Sequence, residues 1–294
     1  MSPSNAAPVT DARILQAATE IGVLGAGQGL IPLLMARMCD PRSTAHEVAQ
    51  VIGRDPGLAA RVLRVANSAY YGASGSVATL ERAFVMLGVD AVRGIAAAAC
   101  LDRATVRALQ SSPIEIDSML RHAVSVGCAA ESLARVSHRS LAAEAFIAGL
   151  LHDFGVMLQL QVDRARLLEV IDALGAGPRQ NPRAVERSFG CIGHEHCAAV
   201  VFRAWNLPET LVAAVGNHHD PAAAPPGSRR LAALVHLADT ISLETGHGYA
   251  VEPQAWPLQE GTLELLGIQE TFLSHVAEAL PERTRELQRV LSES

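Results

Sequence analysis

Histidine and aspartate residues recur along this chain in an order that suits a metal centre. The candidate ligands fall on separate predicted helices and are His122, His152, Asp153, His194, His218, His219 and Asp239. Imidazole and carboxylate groups together suit divalent iron, manganese, zinc or nickel, and a helical bundle can direct such side chains to one centre. A carboxylate that bridges two ions can help to create a hydroxide nucleophile for attack on phosphorus. The sequence therefore predicts a site for one or two divalent metal ions.

Each candidate also has a simpler structural interpretation. A lone histidine on an apolar face, such as His122, is commonly bonded to a backbone carbonyl. Asp153 could pair with an arginine, and the pair His218–His219 could end a helix, where the helix dipole favours a positive charge. We interpret four other histidines as structural or surface residues: His138, His196, His236 and His247. Only the full set, and no single member, favours a metal site.

The segments that must position these side chains are all predicted to be helices. Alternation with a period of two residues persists nowhere, and aromatic residues make up only 4% of the chain. The predicted helices that carry the candidate ligands span 114–136, 140–162, 183–205, 207–221 and 229–246. Nearer the N-terminus, Thr44 and Glu47 have the spacing of a capping box, and Thr79 can cap the helix that ends at Gly88.

The composition excludes several classes of protein. Of the 294 residues, 49% are hydrophobic and 18% are charged, which is typical of a globular fold. The net charge is −6 and all 24 basic residues are arginines, so no basic bias indicates nucleic acid. We expect no signal peptide, no membrane span and, with five scattered cysteines, a reducing cytoplasmic location.

Several segments resemble the HDOD family, bacterial signalling relatives of the HD-type metal phosphohydrolases. The segment "DPGLAARVLRVANSAYYG" (55–72) looks like the family signature, and "AFIAGLLHDFGVMLQ" and "LVHLADTIS" follow in the family's order. The resemblance implies an all-α fold in which an N-terminal helical lobe packs on an HD-like helical bundle. It implies an HDOD domain at 27–240, with lobes at 27–115 and 116–240. Outside this range the residue pattern predicts a tail and short helix at 1–26 and a C-terminal helical extension at 241–294.

The same resemblance extends to the HD-GYP enzymes, which hydrolyse cyclic di-GMP with a metal cluster. All seven candidate ligands match that class by position. However, Val156 stands where those enzymes have a lysine, and the chain has no lysine elsewhere. The Gly-Tyr-Pro stretch is absent, and Ser118 stands where a glutamate would precede His122 by one turn. The resemblance therefore implies a metal site and argues against phosphodiester hydrolysis.

We therefore predict a regulatory module that acts by binding signalling proteins, such as a kinase, a receiver protein or an enzyme of cyclic dinucleotides. Neither nucleic acid nor membrane is an expected partner, and a homo-oligomer is compatible with this role. The alternative is a metal-dependent phosphohydrolase that acts on a nucleotide or a cyclic dinucleotide. Four residues near a helix end are the candidate partner contacts, although capping and lobe packing are equally open to them: Asn67, Ser68, Tyr70 and Tyr71.

Overall fold

Every regular element that the structure describes is a helix, which confirms the predicted all-α class. The structure is a computed structural model, and the residues that it describes are 9–20, 33–34, 37, 42–54, 56–67, 77–88, 92, 112–176, 181–205, 207–255 and 257–292. Within these ranges the α-helices are α1 (Asp11–Glu20), α2 (Ala45–Ile52), α3 (Pro56–Ala66), α4 (Leu80–Leu87), α5 (Ile116–Ser137), α6 (Ala142–Leu151), α7 (Phe154–Val162), α8 (Arg164–Ala176), α9 (Pro182–Ser188), α10 (His194–Ala204), α11 (Glu209–Gly216), α12 (Arg229–Glu244), α13 (Thr262–Leu266) and α14 (Glu270–Ser292). Two short 3₁₀-helices span Arg139–Leu141 and Pro221–Ala223.

Helices α2, α3 and α4 pack against one another towards the N-terminus. The predicted capping box at the start of α2 is confirmed. The backbone N–H of Glu47 donates to the Thr44 hydroxyl at 3.2 Å, and the Glu47 carboxylate accepts from the Thr44 N–H at 2.8 Å. The predicted cap of α4 is confirmed as well, since the Thr79 hydroxyl accepts from the backbone of Arg82. These contacts satisfy amides that the first turn of a helix leaves free.

One of the four candidate partner contacts can be described. The Asn67 amide donates to the carbonyls of Leu63 and Val77 and accepts from the N–H of Val77 at 2.7 Å. Asn67 therefore ties the end of α3 to the segment that leads into α4. Ser68, Tyr70 and Tyr71 lie outside the described residues.

The candidate ligands lie in a bundle built around α5. This helix packs against α6, α12 and α14, while α10 packs against α7 and α11, and α11 packs against α12. The facing sides of these helices are almost entirely apolar and buried, so the few polar side chains among them stand out. The buried polar residues include His122 on α5 and Asp239 on α12.

Two helices that the sequence predicted as continuous are broken, and both breaks lie at candidate ligands. The predicted helix 140–162 is interrupted at the turn His152–Asp153, between α6 and α7. The His152 ring bonds the Gly149 carbonyl, which the amide of Asp153 would use in a continuous helix. The predicted helix 183–205 is interrupted between α9 and α10, where Gly190 adopts a positive φ of 65°. A left-handed residue of this kind ends a helix, and α10 then begins at His194.

One helical stretch of the described chain, Arg139–Val162, is long and apolar enough to cross a membrane by length and composition alone. Its most apolar window of 18 residues is 78% buried inside the protein. The burial accounts for the apolar composition, because this stretch contains α6 and α7 of the bundle core. The described cysteines Cys128, Cys191 and Cys197 are likewise buried and free of disulfides.

Glycine at position 149 lets α5 and α6 approach closely. A Cβ atom there would lie 2.8 Å from the carbonyl oxygen of Val126 and 3.0 Å from the Cα of Gly127. Both obstructions are backbone atoms of α5, so the helices would have to separate. Because His122 is on α5 and His152 directly follows α6, this close approach brings the two rings together.

We predict that Gly149→Ala destabilises the protein by about 1–3 kcal/mol, the usual cost of over-packing a tight core. Urea unfolding in the presence of a chelator measures this without a contribution from metal. Gly175→Ala on α8 is the control, since a Cβ there meets nothing within 4 Å. It should leave stability unchanged or raise it by up to about 1 kcal/mol through helix propensity. Equal stability of the two variants would contradict the packing argument.

Candidate metal centre

The structure brings all seven predicted ligands into one cluster. His122 comes from the middle of α5, His152 and Asp153 from the turn after α6, and His194 from the first turn of α10. The pair His218–His219 follows α11, and the remaining ligand, Asp239, lies on α12. All are buried except His219, whose side chain is 17% exposed. Their role as metal ligands stays a prediction.

The carboxylate of Asp153 lies at the middle of the cluster and faces histidines on both sides. Its Oδ2 atom is 3.5 Å from Nε2 of His122 and 3.2 Å from Nε2 of His152. Its Oδ1 atom is 3.3 Å from Nε2 of His194 and 3.9 Å from Nε2 of His218. Each carboxylate oxygen therefore faces a separate group of imidazole nitrogens.

The remaining short distances assign the other residues to these two groups. On the Oδ2 side, the Nε2 atoms of His122 and His152 are 3.2 Å apart, and Asp239 Oδ1 is 3.3 Å from His122. On the Oδ1 side, Nε2 of His194 is 3.4 Å from that of His218 and 3.0 Å from that of His219.

Most of these rings are held by their other nitrogen. The Nδ1 atoms of His122, His152 and His218 each bond a backbone carbonyl, at 3.0, 2.7 and 2.7 Å respectively. A carbonyl only accepts, so each Nδ1 carries the proton and, in the neutral ring, Nε2 presents a lone pair to the centre. Metal-bound histidines are anchored in the same way. Lone pairs that face one another at about 3.2 Å repel unless a cation or a proton lies between them.

The spacing of these atoms fits a coordination sphere. Two ligand atoms that each lie about 2.1 Å from one ion are about 3.0 Å apart at a right angle and about 3.4 Å apart in a tetrahedron. The close contacts on both sides of Asp153 fall between 3.0 and 3.5 Å. In addition, Oδ1 of Asp153 and Oδ1 of Asp239 are buried and accept no hydrogen bond from the described residues. Buried carboxylate oxygens without donors are costly, and a bound cation would satisfy them.

Most of these groups have the protonation state that metal binding requires. Burial and the neighbouring imidazoles hold the pKa of His218 and of His219 well below its usual range, so both rings are neutral near pH 7. Burial raises the pKa of Asp153, but the surrounding histidines outweigh burial and hold it well below its ordinary value. Burial lowers the pKa of His152, but the carboxylates of Asp153 and Asp239 outweigh it and raise the pKa to about 9. Without a cation, a proton on His152 therefore neutralises part of the negative charge.

A turn beyond α12 contributes groups that the sequence did not predict. The Tyr249 hydroxyl donates to Oδ2 of Asp153 at 2.7 Å, and the backbone carbonyl of His247 accepts from His122. Burial and the charge of Asp153 raise the pKa of Tyr249 well above its usual value, so the phenol keeps the proton that it donates. Glu252 Oε1 lies 3.3 Å from Nε2 of His219. The alternation of polar and apolar residues gives no signal for these contacts, because an irregular turn makes them.

A second set of residues supports His194. Its Nδ1 atom lies 3.4 Å from the carboxylate of Glu186, which accepts a hydrogen bond from Gln159 and pairs with Arg183. Glycine is required at position 155, since a Cβ there would lie 1.7 Å from the carbonyl oxygen of His194. The tight contact between α7 and α10 therefore places His194 beside Asp153.

The cluster opens to solvent on one side. A cleft of about 410 Å³ is lined by three residues of the cluster, His219, Asp239 and Glu252, and also by Arg183 and Arg187. The Arg183 side chain also pairs with Glu195. The ions predicted here would thus be accessible to a small molecule from the side of His219.

Most of the segment that carries this cluster matches a known domain. The family model of the HDOD domain matches residues 29–221. The chain belongs to the HDOD family. The matched range lies within the predicted limits 27–240 and ends before Asp239, so Asp239 and the turn that carries Tyr249 lie beyond it.

Solved structures share the fold of this HDOD protein over almost its whole length. An HDOD domain protein of unknown function from Geobacter sulfurreducens is 21% identical, with a TM-score of 0.71, 96% of this chain covered and 98% of that one. A Marinobacter aquaeolei VT8 protein, provisionally named a signal transduction protein, is 23% identical with a TM-score of 0.72. The match covers 96% of this chain and 65% of that protein.

A curated relative is longer than this chain. An uncharacterized protein of Treponema pallidum (strain Nichols) is 23% identical over 201 residues, which is 68% of this chain and 38% of that protein. The chain therefore spans well under half of the length of this relative.

We predict that Tyr249→Phe weakens metal binding about 10- to 100-fold, the usual effect of removing a hydrogen bond that orients a metal ligand. The loss arises because the Asp153 carboxylate keeps its charge but loses the donor that orients it. Calorimetric titration of the metal-stripped protein with Mn²⁺ measures the affinity. Thr271→Val, which removes an exposed hydroxyl on α14, is the control and should bind like the wild type. Unchanged affinity in Tyr249→Phe would show that the phenol does not orient Asp153.

Proposed function

We propose that this HDOD protein is a signalling module whose HD-like bundle holds a two-metal centre and that its output passes through binding to other proteins. The observation that carries the metal centre is the position of Asp153, whose two carboxylate oxygens face separate groups of histidine Nε2 atoms. Membership of the HDOD family supports the signalling role.

The residues of each group follow from the distances. One ion would be held by His122, His152, Asp239 and Oδ2 of Asp153, and the other by Oδ1 of Asp153 and three histidines: His194, His218 and His219. When bound, such ions supply Lewis acidity and lower the pKa of coordinated water. The chain itself supplies fixed imidazoles, a buried carboxylate between them and the Tyr249 hydroxyl that orients it.

The metal centre is tested by elemental analysis of protein expressed in metal-replete medium. We expect up to two divalent ions of iron, manganese, zinc or nickel for each chain. Asp153→Asn should lose most of them, because the amide that replaces the carboxylate cannot serve as an anionic bridge. Asp172→Asn, on the exposed face of α8, is the control and should keep the wild-type content. A wild-type protein without metal, or full content in Asp153→Asn, would refute the centre.

Two observations support binding rather than hydrolysis as the output. Val156, at the position of the HD-GYP lysine, is fully buried in the apolar core, and the chain has no lysine to replace that charge. On α4, Val85 is 75% exposed and Met86 is 38% exposed, an apolar surface of the kind that protein partners cover. We propose cytoplasmic signalling proteins as the partners, such as a kinase, a receiver protein or an enzyme of cyclic dinucleotides.

The cleft beside the cluster favours a second candidate function, a metal-dependent phosphohydrolase. Arg183 and Arg187 line the same cleft as His219 and Asp239, so a phosphate group could contact guanidinium groups and the metal centre together. The pairing of Arg183 with Glu186 and Glu195 weakens this candidate, since it already neutralises that guanidinium.

One assay separates the two functions. Metal-loaded wild-type protein is incubated with cyclic di-GMP and with bis(p-nitrophenyl) phosphate, and Asp153→Asn protein is incubated in parallel. The signalling proposal predicts no hydrolysis above the Asp153→Asn background, because no lysine balances the phosphate charge. Metal-dependent turnover that disappears in Asp153→Asn and falls in Arg187→Gln would favour the phosphohydrolase instead.

A further inference from the structure

The turn between α12 and α13 is packed tightly against the metal centre. Gly246, with φ of 82°, ends α12, and the backbone N–H of Tyr249 donates to the carbonyl of Glu252 at 3.0 Å. A Cβ at Gly248 would lie 2.6 Å from the carbonyl oxygen of Pro253, so only glycine fits there without a shift of the backbone. Val251 is fully buried and anchors the turn. The turn therefore holds its side chains in defined positions.

Glu252 points from this turn into the cluster. Its side chain is only 4% exposed, and Oε1 lies 3.3 Å from Nε2 of His219. One ligand atom each from His219, Asp239 and Glu252 lie within 4.8 Å of one another. A second group with the same spacing joins Glu252 to three further residues: His122, His152 and Asp153. Glu252 thus lies within reach of both halves of the predicted centre.

The described residues leave one oxygen of this buried carboxyl group without a hydrogen-bond donor. Oε2 of Glu252 is buried and accepts no hydrogen bond from the described part of the chain. Its other oxygen, Oε1, faces Nε2 of His219 at 3.3 Å. Arg183, which lines the same cleft, pairs with Glu186 and Glu195. A buried carboxylate oxygen without a donor is unfavourable, and a cation beside Glu252 would satisfy it.

We propose that Glu252 is a ligand of the metal centre and that it binds, together with His219, the ion that Oδ1 of Asp153 faces. The proposal rests on the metal centre proposed above and adds a ligand that lies outside the range matched by the family model. A carboxylate oxygen and an imidazole nitrogen 3.3 Å apart have the separation expected of two ligands of one ion. Glu252 then completes the coordination on the side that opens to the cleft.

If Glu252 is a ligand, Glu252→Gln should raise the stability of the metal-free protein and lower its affinity for metal. Without metal, burial and the carboxylates of Asp239 and Asp153 make the ionised form of Glu252 costly, so Glu252→Gln should stabilise the metal-free protein. With metal, the same substitution removes an anionic ligand and should weaken binding. A purely structural role of Glu252 would instead make the metal-free protein less stable on substitution. The two readouts together therefore separate a ligand from a packing residue.

The experiment uses the full chain, stripped with a chelator and titrated with Co²⁺. The variants are Glu252→Gln, Glu252→Asp, Asp153→Asn and the control Glu260→Gln, whose side chain is exposed on the following loop. Circular dichroism verifies the fold, calorimetry gives the affinity, and the visible spectrum reports the ligands of bound Co²⁺. Urea unfolding with chelator gives the stability of each metal-free protein.

We expect Glu252→Gln to weaken Co²⁺ binding about 100-fold or more, beyond the range usual for groups outside the coordination sphere, and to change the spectrum of bound Co²⁺. Its metal-free form should unfold at a higher urea concentration than the wild type. Glu252→Asp, which keeps the charge, should bind with intermediate affinity, and Glu260→Gln should match the wild type.

Three results would overturn the proposal, and they have different consequences. Wild-type affinity and spectrum in Glu252→Gln, with binding lost in Asp153→Asn, would exclude Glu252 as a ligand and leave the metal centre intact. The same holds if weaker binding in Glu252→Gln is matched by a loss of metal-free stability. A wild-type protein that binds no Co²⁺ would refute the metal centre and the role of Glu252 together.

Discussion

The charge of Asp153, buried between two groups of imidazoles, is the constraint on which the C-terminal half of this protein depends. An ionised carboxylate in an apolar core is stable only if surrounding groups compensate it. Here the compensation comes from histidines on both sides and from the Tyr249 hydroxyl. The rings of His122, His152 and His218 are fixed through Nδ1, so their Nε2 atoms cannot turn away from the centre. The fold therefore orders the site before any ion binds, and an ion needs little further ordering of side chains.

Small residues and interruptions of helices make this arrangement geometrically possible. Gly149 lets α5 and α6 approach until the rings of His122 and His152 meet, and Gly155 lets α7 approach the start of α10. The turn at His152–Asp153 then directs both side chains inward, which a continuous helix would prevent, because adjacent residues diverge by about 100° around its axis. The local breaks in regular structure are thus a requirement of the site.

The sequence predicted much of this structure and missed a specific part of it. The seven candidate ligands were identifiable because polar residues on otherwise apolar helices need partners, and the structure brings all seven together. The helix boundaries at α6–α7 and α9–α10 were wrong, because periodicity continues through His152 and His194 while tertiary contacts interrupt the backbone.

The sequence missed three residues of the site, Tyr249, Glu252 and Glu186, for a different reason. Their roles depend on contacts over long sequence distances, such as the bond from Tyr249 to Asp153, and local pattern carries no information about such contacts.

The contacts of the C-terminal segment connect the chemistry of the centre to the rest of the molecule. The turn that carries Tyr249 and Glu252 lies between α12 and α14, and α14 packs against α5, α12 and, in the N-terminal group of helices, α3. Arg283 of α14 also pairs with Glu131 of α5.

If an ion binds Glu252 and relieves its repulsion from Asp239, the binding free energy stabilises this turn relative to its metal-free form. By linkage, a partner that binds the displaced form of the turn weakens ion binding, and the ion weakens the binding of that partner by the same factor. A partner that contacts α3 or α14 and shifts this segment would therefore change the occupancy of the metal centre, and an ion would change the affinity for that partner. This reciprocal coupling gives a buried centre a physical means of contributing to signalling without catalysing a reaction.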